Sequence, residues 1–450
     1  VGTLGPWQYF ALGFGCIVGS GWLVVVGQWL AIAGPGGAAL GFLLGGALIA
    51  VIGYSYADLT RAMPEAGGEF LYAFNGLGRF PGFIVGWLML LYYIATCAFE
   101  GVALGSVSKM LAPGMLAEPL YHIGKTGVAG LEVGVGLVAA IFIFALNAVG
   151  IGAAARFQAT ATYGFLAVAL CILGLVGIHG SATNLVPLMA GLSRGEQWQG
   201  VLAIFVISIF MMDGFQAVPQ AVEERSPNSS LRMVSSGIAL SILAGTLFYV
   251  FAIVATGMAM PWHLLAGKQL ATAVAARSLP MGRMLVTGLL LAGMASLLKT
   301  WNAMTIMAVR LLLAMSRHGF APRIFANLSG ANRVPVAALC GVSLCSLAGL
   351  SFGRAALDPI IAMASITLGF IYGATCLVAF RLRLGEGLRA FAMPALGLAA
   401  SALIVCIAVP DPFRHSRGLP VEYAILAAWL AIGLVYWAIV QRRDRLQASA

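Results

Sequence analysis

Charge is what this chain is short of. Only 25 Lys and Arg and 15 Asp and Glu occur among 450 residues, so 9% of positions are charged, against about 25% in a soluble domain. That scarcity excludes a soluble enzyme, a disordered chain and a nucleic-acid binder. Histidine is scarcer: His122, His179, His263, His318 and His415 all fall outside the long apolar runs. An intramembrane protease or acyltransferase needs a nucleophile with a base, commonly an embedded His, so its absence speaks against one. No G-x-x-x-x-G-K-[ST] phosphate loop occurs, and nucleotide hydrolysis is not expected. The seven Cys lie in apolar surroundings without CxxC spacing and read as small core residues rather than metal ligands or disulfides. No metal and no cofactor is expected, and no cleavable signal peptide is visible.

What is abundant is apolar sequence, 61% of the chain, enough for a polytopic helical membrane protein. A helix needs roughly 20 apolar residues to cross the hydrocarbon core. Twelve spans are expected, at about 6–33, 36–61, 81–111, 129–149, 157–178, 199–222, 233–259, 283–316, 334–352, 356–381, 390–409 and 421–440. With the N-terminus inside, fourteen Lys and Arg fall on inner loops and the C-terminal tail and nine on outer loops. That bias predicts both termini cytoplasmic, in an inner (cytoplasmic) membrane.

Two spans are interrupted. The first contains Gly13-Phe14-Gly15-Cys16-Ile17-Val18-Gly19-Ser20-Gly21; the sixth contains Phe210-Met211-Met212-Asp213-Gly214-Phe215-Gln216, then Pro219. Irregular backbone is tolerated at membrane depth only where it lines a cavity or is buried in protein. Paired interruptions in corresponding positions of two halves point to a transporter site; the plainer alternative is glycine-mediated helix packing. Repeated filter motifs are absent, which argues against a channel.

Three stretches carry a family resemblance: Gly19-Ser20-Gly21; Tyr54-Ser55-Tyr56-Ala57-Asp58-Leu59 with Met63-Pro64-Glu65-Ala66-Gly67-Gly68-Glu69-Phe70-Leu71-Tyr72; and Gly214-Phe215-Gln216 with Glu223-Glu224, followed by Arg310 and Met315-Ser316-Arg317-His318-Gly319-Phe320-Ala321-Pro322. The chain resembles the amino acid–polyamine–organocation permeases, with order and spacing in agreement from span 1 to span 10. The resemblance implies an all-α fold with a five-plus-five inverted repeat, spans 1 and 6 broken at mid-bilayer, and spans 11 and 12 appended. Its halves would be residues 1–180 and 195–385, with 388–450 as the appendage. Many relatives carry Gly-Phe-Glu in span 6 where this chain has Gly214-Phe215-Gln216. Some proton-coupled relatives carry a Lys in span 5, and 157–178 has none.

The expected substrate site follows. Ile17, Gly19, Ser20 and Gly21 would offer free N–H groups and a positive dipole end to a carboxylate. Asp213 costs at least ~2.5 kcal/mol at mid-bilayer unless satisfied; it would meet a substrate ammonium, carry a proton, or cap the second half of span 6. Glu100 would face the cavity or be a protonated structural acid. Phe210 and Phe215 would cover the substrate or simply pack, Asn302 would line the cavity, and Trp301 would line it or pack.

By the family alignment Lys299 falls where sodium-coupled relatives hold a cation between span 1 carbonyls and span 8. An ammonium there would contact carbonyls around Gly15 and Val18 and make transport sodium-independent. Desolvation disfavours its charged form, which suits a proton carrier; a snorkelling or Asp-paired structural Lys is the alternative. Coupling is therefore assigned to Lys299, Asp213 and Glu100. Asp58, Glu223, Glu224 and Arg317 are placed at a cytoplasmic gate or in structural ion pairs. The function expected is a secondary transporter of amino acids, or of organic amines or polyamines, by alternating access. Proton coupling or exchange is favoured. The partners are the small-molecule substrate, protons and the lipid bilayer, with no nucleic acid; the sequence leaves the oligomeric state open.

Overall fold

The computed structural model describes residues 4–65, 67–112, 114–115, 118–123, 126–268, 270–353, 357–408 and 421–448. Of the residues singled out above, Ala66 and His415 lie outside them, as do Lys125, Arg354, Arg414 and Arg417 of the nine outer-loop Lys and Arg. Nearly all of the described chain is helical. The helices are α1 (Pro6–Ile17), α2 (Gly21–Ala62), α3 (Gly68–Leu77), α4 (Arg79–Leu111), α5 (Gly130–Val149), α6 (Ile151–His179), α7 (Arg194–Met211) and α8 (Ala217–Gln220). They continue with α9 (Leu231–Ala259), α10 (Ala271–Arg277), α11 (Gly282–Arg317), α12 (Val336–Leu350), α13 (Leu357–Arg383), α14 (Leu388–Ala408) and α15 (Val421–Ala448).

Nine helices among the described residues hold a stretch long and apolar enough to cross a membrane. This is fewer than the twelve spans read from hydropathy, for a geometric reason. The first and sixth spans are each divided, so α1 is only 12 residues long and the 18 residues of α7 include its polar opening turn, Arg194-Gly195-Glu196-Gln197. The second span is continuous with the lower part of the first in α2, and α12 has 15 residues. Three elements were not expected from hydropathy: α3, α10, and an antiparallel hairpin of β1 (Pro119–Ile123) and β2 (Thr126–Ala129). All are short, and a window tuned to 20 apolar residues passes over them.

Local chemistry sets several helix starts. Ser193 accepts from the Glu196 N–H at 3.2 Å while Glu196 accepts from the Ser193 N–H at 3.1 Å, a reciprocal cap that opens α7. Ser230 caps α9 through the Met233 N–H. Glu132 accepts from the Ala129 N–H at the head of α5 and pairs with Lys109 at 2.9 Å, tying α5 to the end of α4.

The interior is built around the divided helices. α1 packs on α6 and α9, α2 on α7 and α9, and α11 on α4 and α6. The site is thus walled by α4, α6, α9 and α11. The Trp87 and Trp429 indoles stack at 4.6 Å, and each donates to the other's carbonyl at 2.8 Å, fastening α15 to α4.

The bend within α2 rests on one residue. Gly34 has φ 69° and ψ 172°, and Pro35 follows it at the start of the next helical segment. A Cβ at Gly34 would lie 2.7 Å from the Ala190 nitrogen and 2.9 Å from the Leu188 carbonyl oxygen. This backbone region is essentially reserved for glycine, and forcing another residue into it costs on the order of 1–3 kcal/mol. Gly34→Val is expected to lower the thermal midpoint in detergent and the monodisperse yield. A wild-type melting curve for this variant would rule the bend out as a determinant of stability.

Candidate functional site

Helix α1 stops at Ile17 because the Gly-rich run following it lets the chain turn away, and α2 resumes at Gly21. A helix end leaves its last carbonyls without intrahelical partners, and here Gly15 O, Ile17 O and Val18 O are answered from other helices. Phe14 O accepts from the Val18 N–H at 2.8 Å. Gly15 O and Val18 O accept from the Lys299 ammonium of α11 at 2.5 and 2.6 Å. Ile17 O accepts from the Tyr249 hydroxyl of α9 at 2.9 Å. One turn earlier, Ala11 O accepts from Thr162 of α6 at 3.1 Å.

Lys299 is fully buried. Its charge therefore has no water to solvate it, and the two carbonyls together with the negative dipole end of α1 take that role. The Phe165 ring of α6 lies 5.1 Å from its nitrogen, a cation–π contact. The ammonium is enclosed by α1, α6 and α11, and neither snorkelling nor an Asp partner accounts for this geometry.

The second break answers the first. α7 ends at Met211, and Met212 to Gln216 form a turn before the four-residue α8. Gly214 has φ 123°, and a Cβ there would lie 2.7 Å from both the Cys16 carbonyl carbon and the Ile17 nitrogen. The two broken segments touch backbone to backbone because this residue has no side chain. Beside it the buried Asp213 carboxylate accepts from the Tyr92 hydroxyl of α4, the Gln216 amide and, at 2.9 Å, the Tyr372 hydroxyl of α13. Gln216 also donates to Tyr372 at 3.0 Å and accepts from the Gly214 N–H at 2.8 Å.

A cavity of about 60 Å³ opens between the breaks, room for a few waters. Of the residues singled out in the sequence, Ile17, Gly19, Gly21, Glu100, Phe210 and Asp213 line it. Glu100 is buried, and its Oε2 atom has no hydrogen-bond partner. Ser20 is buried at the same break but is not among the lining residues.

The remaining assignments sit elsewhere. Asn302 faces away from the cavity: it donates to Ala154 O and Gln158, accepts from Asn147 at 3.0 Å, and so ties α11 to α5 and α6. Trp301 packs against Gly101 of α4. Phe215 is buried between Tyr56 and Tyr372, with ring centroids at 5.0 and 5.9 Å. The gate residues form ion pairs away from the cavity. Asp58 takes a two-pronged contact from Arg383 at 2.6 and 2.8 Å, Glu224 pairs with Arg310, and Glu223 lies 3.8 Å from Arg317.

The cavity also uses residues that sequence reading passed over, among them Tyr92, Thr96, Tyr249 and Thr300. Tyr92 and Thr96 were accessible: they lie two turns and one turn before Glu100, on the same face of α4. Tyr372 had no such signal, since its partner Asp213 is 159 positions away.

A family model described as amino acid permease matches residues 4–439. The chain belongs to the amino acid permease family, within the amino acid–polyamine–organocation superfamily. It is 26% identical to the methylthioribose transporter of Bacillus subtilis (strain 168), over 99% of this chain and 94% of that protein. It is 24% identical to the branched-chain amino acid permease BcaP of the same organism, over 98% and 93%. It is 28% identical to the vacuolar cationic amino acid transporter 2 of Arabidopsis thaliana, over 75% and 53%. The permease is thus a multi-pass membrane transporter, not an enzyme.

Removing the ammonium while keeping the length of the side chain would leave Gly15 O and Val18 O with only the long 3.5 Å contacts from Thr300 and Ser296, where losing a buried acceptor's partner costs about 1–3 kcal/mol. The Lys299→Met permease is expected to melt well below wild type in detergent. An unchanged midpoint would mean that the carbonyls find other donors.

Proposed function

We propose that this permease moves amino acids across the cytoplasmic membrane by alternating access between two inverted repeats. One observation carries the reading: the broken segments of α1–α2 and α7–α8 meet at a cavity that holds a helix N-terminus on one side and acids on the other. The substrate carboxylate would take the N–H groups around Gly19, Ser20 and Gly21 at the head of α2, where the dipole favours an anion. The ammonium would face Asp213 and Glu100. Because Asp213 already accepts from three side chains, Glu100 has the greater free accepting capacity. Counting α1 with the first part of α2, the second part of α2, α7 with α8, and α12 as spans gives twelve, with the repeat boundary between α6 and α7.

In this reading Lys299 stands where a coupling cation would sit, so transport is sodium-independent and driven by protons or by exchange. Asp58 and Arg383, with Glu223, Glu224, Arg310 and Arg317, belong to the cytoplasmic gate. A second reading, an organic-amine carrier, is favoured by Glu100, whose unpartnered oxygen would hold an ammonium without help from a carboxylate site. Among the relatives, one is named for branched-chain amino acids, one for cationic amino acids and one for methylthioribose, so the substrate has to be measured.

The test is a thermal-stability screen of purified permease against amino acids paired with their decarboxylated amines, in sodium and in choline buffers. A ligand at 100 times its Kd stabilises the folded state by about 2.7 kcal/mol. Amino acids are expected to raise the midpoint equally in both buffers while their amines do not. Stabilisation by amines alone would establish the second reading. In vesicles, uptake by wild type should ignore a sodium gradient; a sodium requirement that survives Lys299→Ala unchanged would sink the role given to Lys299.

A further inference from the structure

A second buried acid lies outside the cavity. Glu69, in the first turn of α3, is 0% exposed and takes part in no ion pair recorded among the described residues. Gln220, the last residue of α8, donates from Nε2 to Glu69 Oε2 at 3.0 Å, and the Tyr56 phenol of α2 also hydrogen-bonds to the carboxyl. Gln220 is also 0% exposed. The other oxygen of each group, Glu69 Oε1 and Gln220 Oε1, is buried without a partner.

These two orphans are complementary only if one of them carries a hydrogen. An ionised carboxylate is acceptor-only, as is the amide oxygen, and two buried acceptors left without a donor are each costly. A protonated carboxyl has an O–H to donate. With the hydrogen on Oε1, Glu69 gives to Gln220 Oε1 what Gln220 Nε2 already gives to Glu69 Oε2. One proton satisfies both atoms. We infer that Glu69 is a proton-binding site, neutral in this conformation and joined to Gln220 as a reciprocal acid–amide pair that latches α3 to α8.

The surroundings fit a neutral acid. The titratable groups near it are the phenols of Tyr56 on α2, Tyr72 on α3, Tyr93 on α4 and Tyr372 on α13, and the carboxyl of Asp213. None of these supplies a positive charge. Arg310 of α11, the element packed on the other side of α3, is engaged by Glu224, and Arg383 of α13 is engaged by Asp58. Burial away from water pushes the Glu69 carboxyl up from 4.5 to about 7, against the lowering effect of its hydrogen bonds.

α8 is the continuation of a broken span, so a movement that opens this end of the cavity separates Gln220 from Glu69. Both hydrogen bonds of the pair then break, the carboxyl meets water, and its O–H proton passes to that water. Reclosing recaptures one proton from the same compartment. This consequence rests on the alternating-access reading above; the protonation state of Glu69 does not.

Infrared spectroscopy of the permease in lipid nanodiscs, at mildly acid and alkaline pH, reads the proton without any substrate. Wild type is expected to show a protonated-carboxyl C=O band at acid pH that is missing from Glu69→Gln. In Gln220→Leu the band should remain but shift to higher frequency, because its hydrogen-bond acceptor is gone. Bands from Asp213 or Glu100 would persist unshifted in both variants. The melting midpoint gives a second readout. A folded-state proton held more tightly than in the unfolded chain stabilises fully below about pH 4.5 and is lost as pH rises to about 7. The midpoint of Glu69→Gln relative to wild type should therefore climb across that window and level off above it. Identical acid bands in wild type and Glu69→Gln would overturn the inference. If Glu69→Gln does not accumulate, a wild-type band that is unmoved in Gln220→Leu does the same. Neither readout involves transport, so a failed latch and a failed transport reading give separate outcomes.

Discussion

One buried ammonium governs the middle of this permease. Ending a helix inside a membrane exposes carbonyls that lipid cannot satisfy, and burying a lysine strands a charge that lipid cannot solvate. Lys299 and the end of α1 resolve both problems together, through contacts of 2.5 and 2.6 Å to Gly15 O and Val18 O. Once α1 can stop at Ile17, the chain is free to turn and begin α2, and a helix N-terminus becomes available at the cavity. The Phe165 ring and the Tyr249 hydroxyl complete the enclosure from α6 and α9.

The other break is held by acceptors rather than by a donor. Asp213 gathers Tyr92 from α4, Tyr372 from α13 and Gln216 from its own segment, so three elements are fixed around one carboxylate. Gly214 then allows that segment to rest on the Cys16–Ile17 backbone. The start of α2 at Gly21 and the carboxyl groups of Asp213 and Glu100 therefore border the same cavity, while Lys299 lies behind the α1 carbonyls rather than in it.

Away from the cavity the two breaks remain linked. The Leu4 N–H donates to Glu224 O at 2.8 Å, the Ser226 N–H donates back to Leu4 O at 3.0 Å, and Tyr9 donates to Ala221 O at 2.9 Å. The segment before α1 and the segment after α8 are therefore joined into one hydrogen-bonded body. The Glu69–Gln220 contact ties that body to α3, while Asp58 and Arg383 tie α2 to α13. Exposed ion pairs are worth about 0–1 kcal/mol. The buried Asp58, held by two charge-assisted bonds, weighs more than the half-exposed pair of Glu223 and Arg317.

The amino-acid sequence on its own determined that the chain is a helical membrane protein, which two helices are interrupted, and which acids and which lysine are embedded. Each of these is a local property: an apolar run, a glycine cluster, a charge where no charge is cheap. It determined less about spans, because hydropathy counts apolar length and is blind to a helix that continues through a bend at Gly34 or to one as short as α3. Partnership was decided only in the tertiary structure. Asn302 lies three residues from Lys299, yet it serves α5 and α6 instead of the cavity; Tyr92 and Tyr372 acquire their meaning from Asp213 alone. A hydrogen bond depends on where an atom lies in space, and for side chains separated by more than 100 positions only the packed helices bring the two ends together.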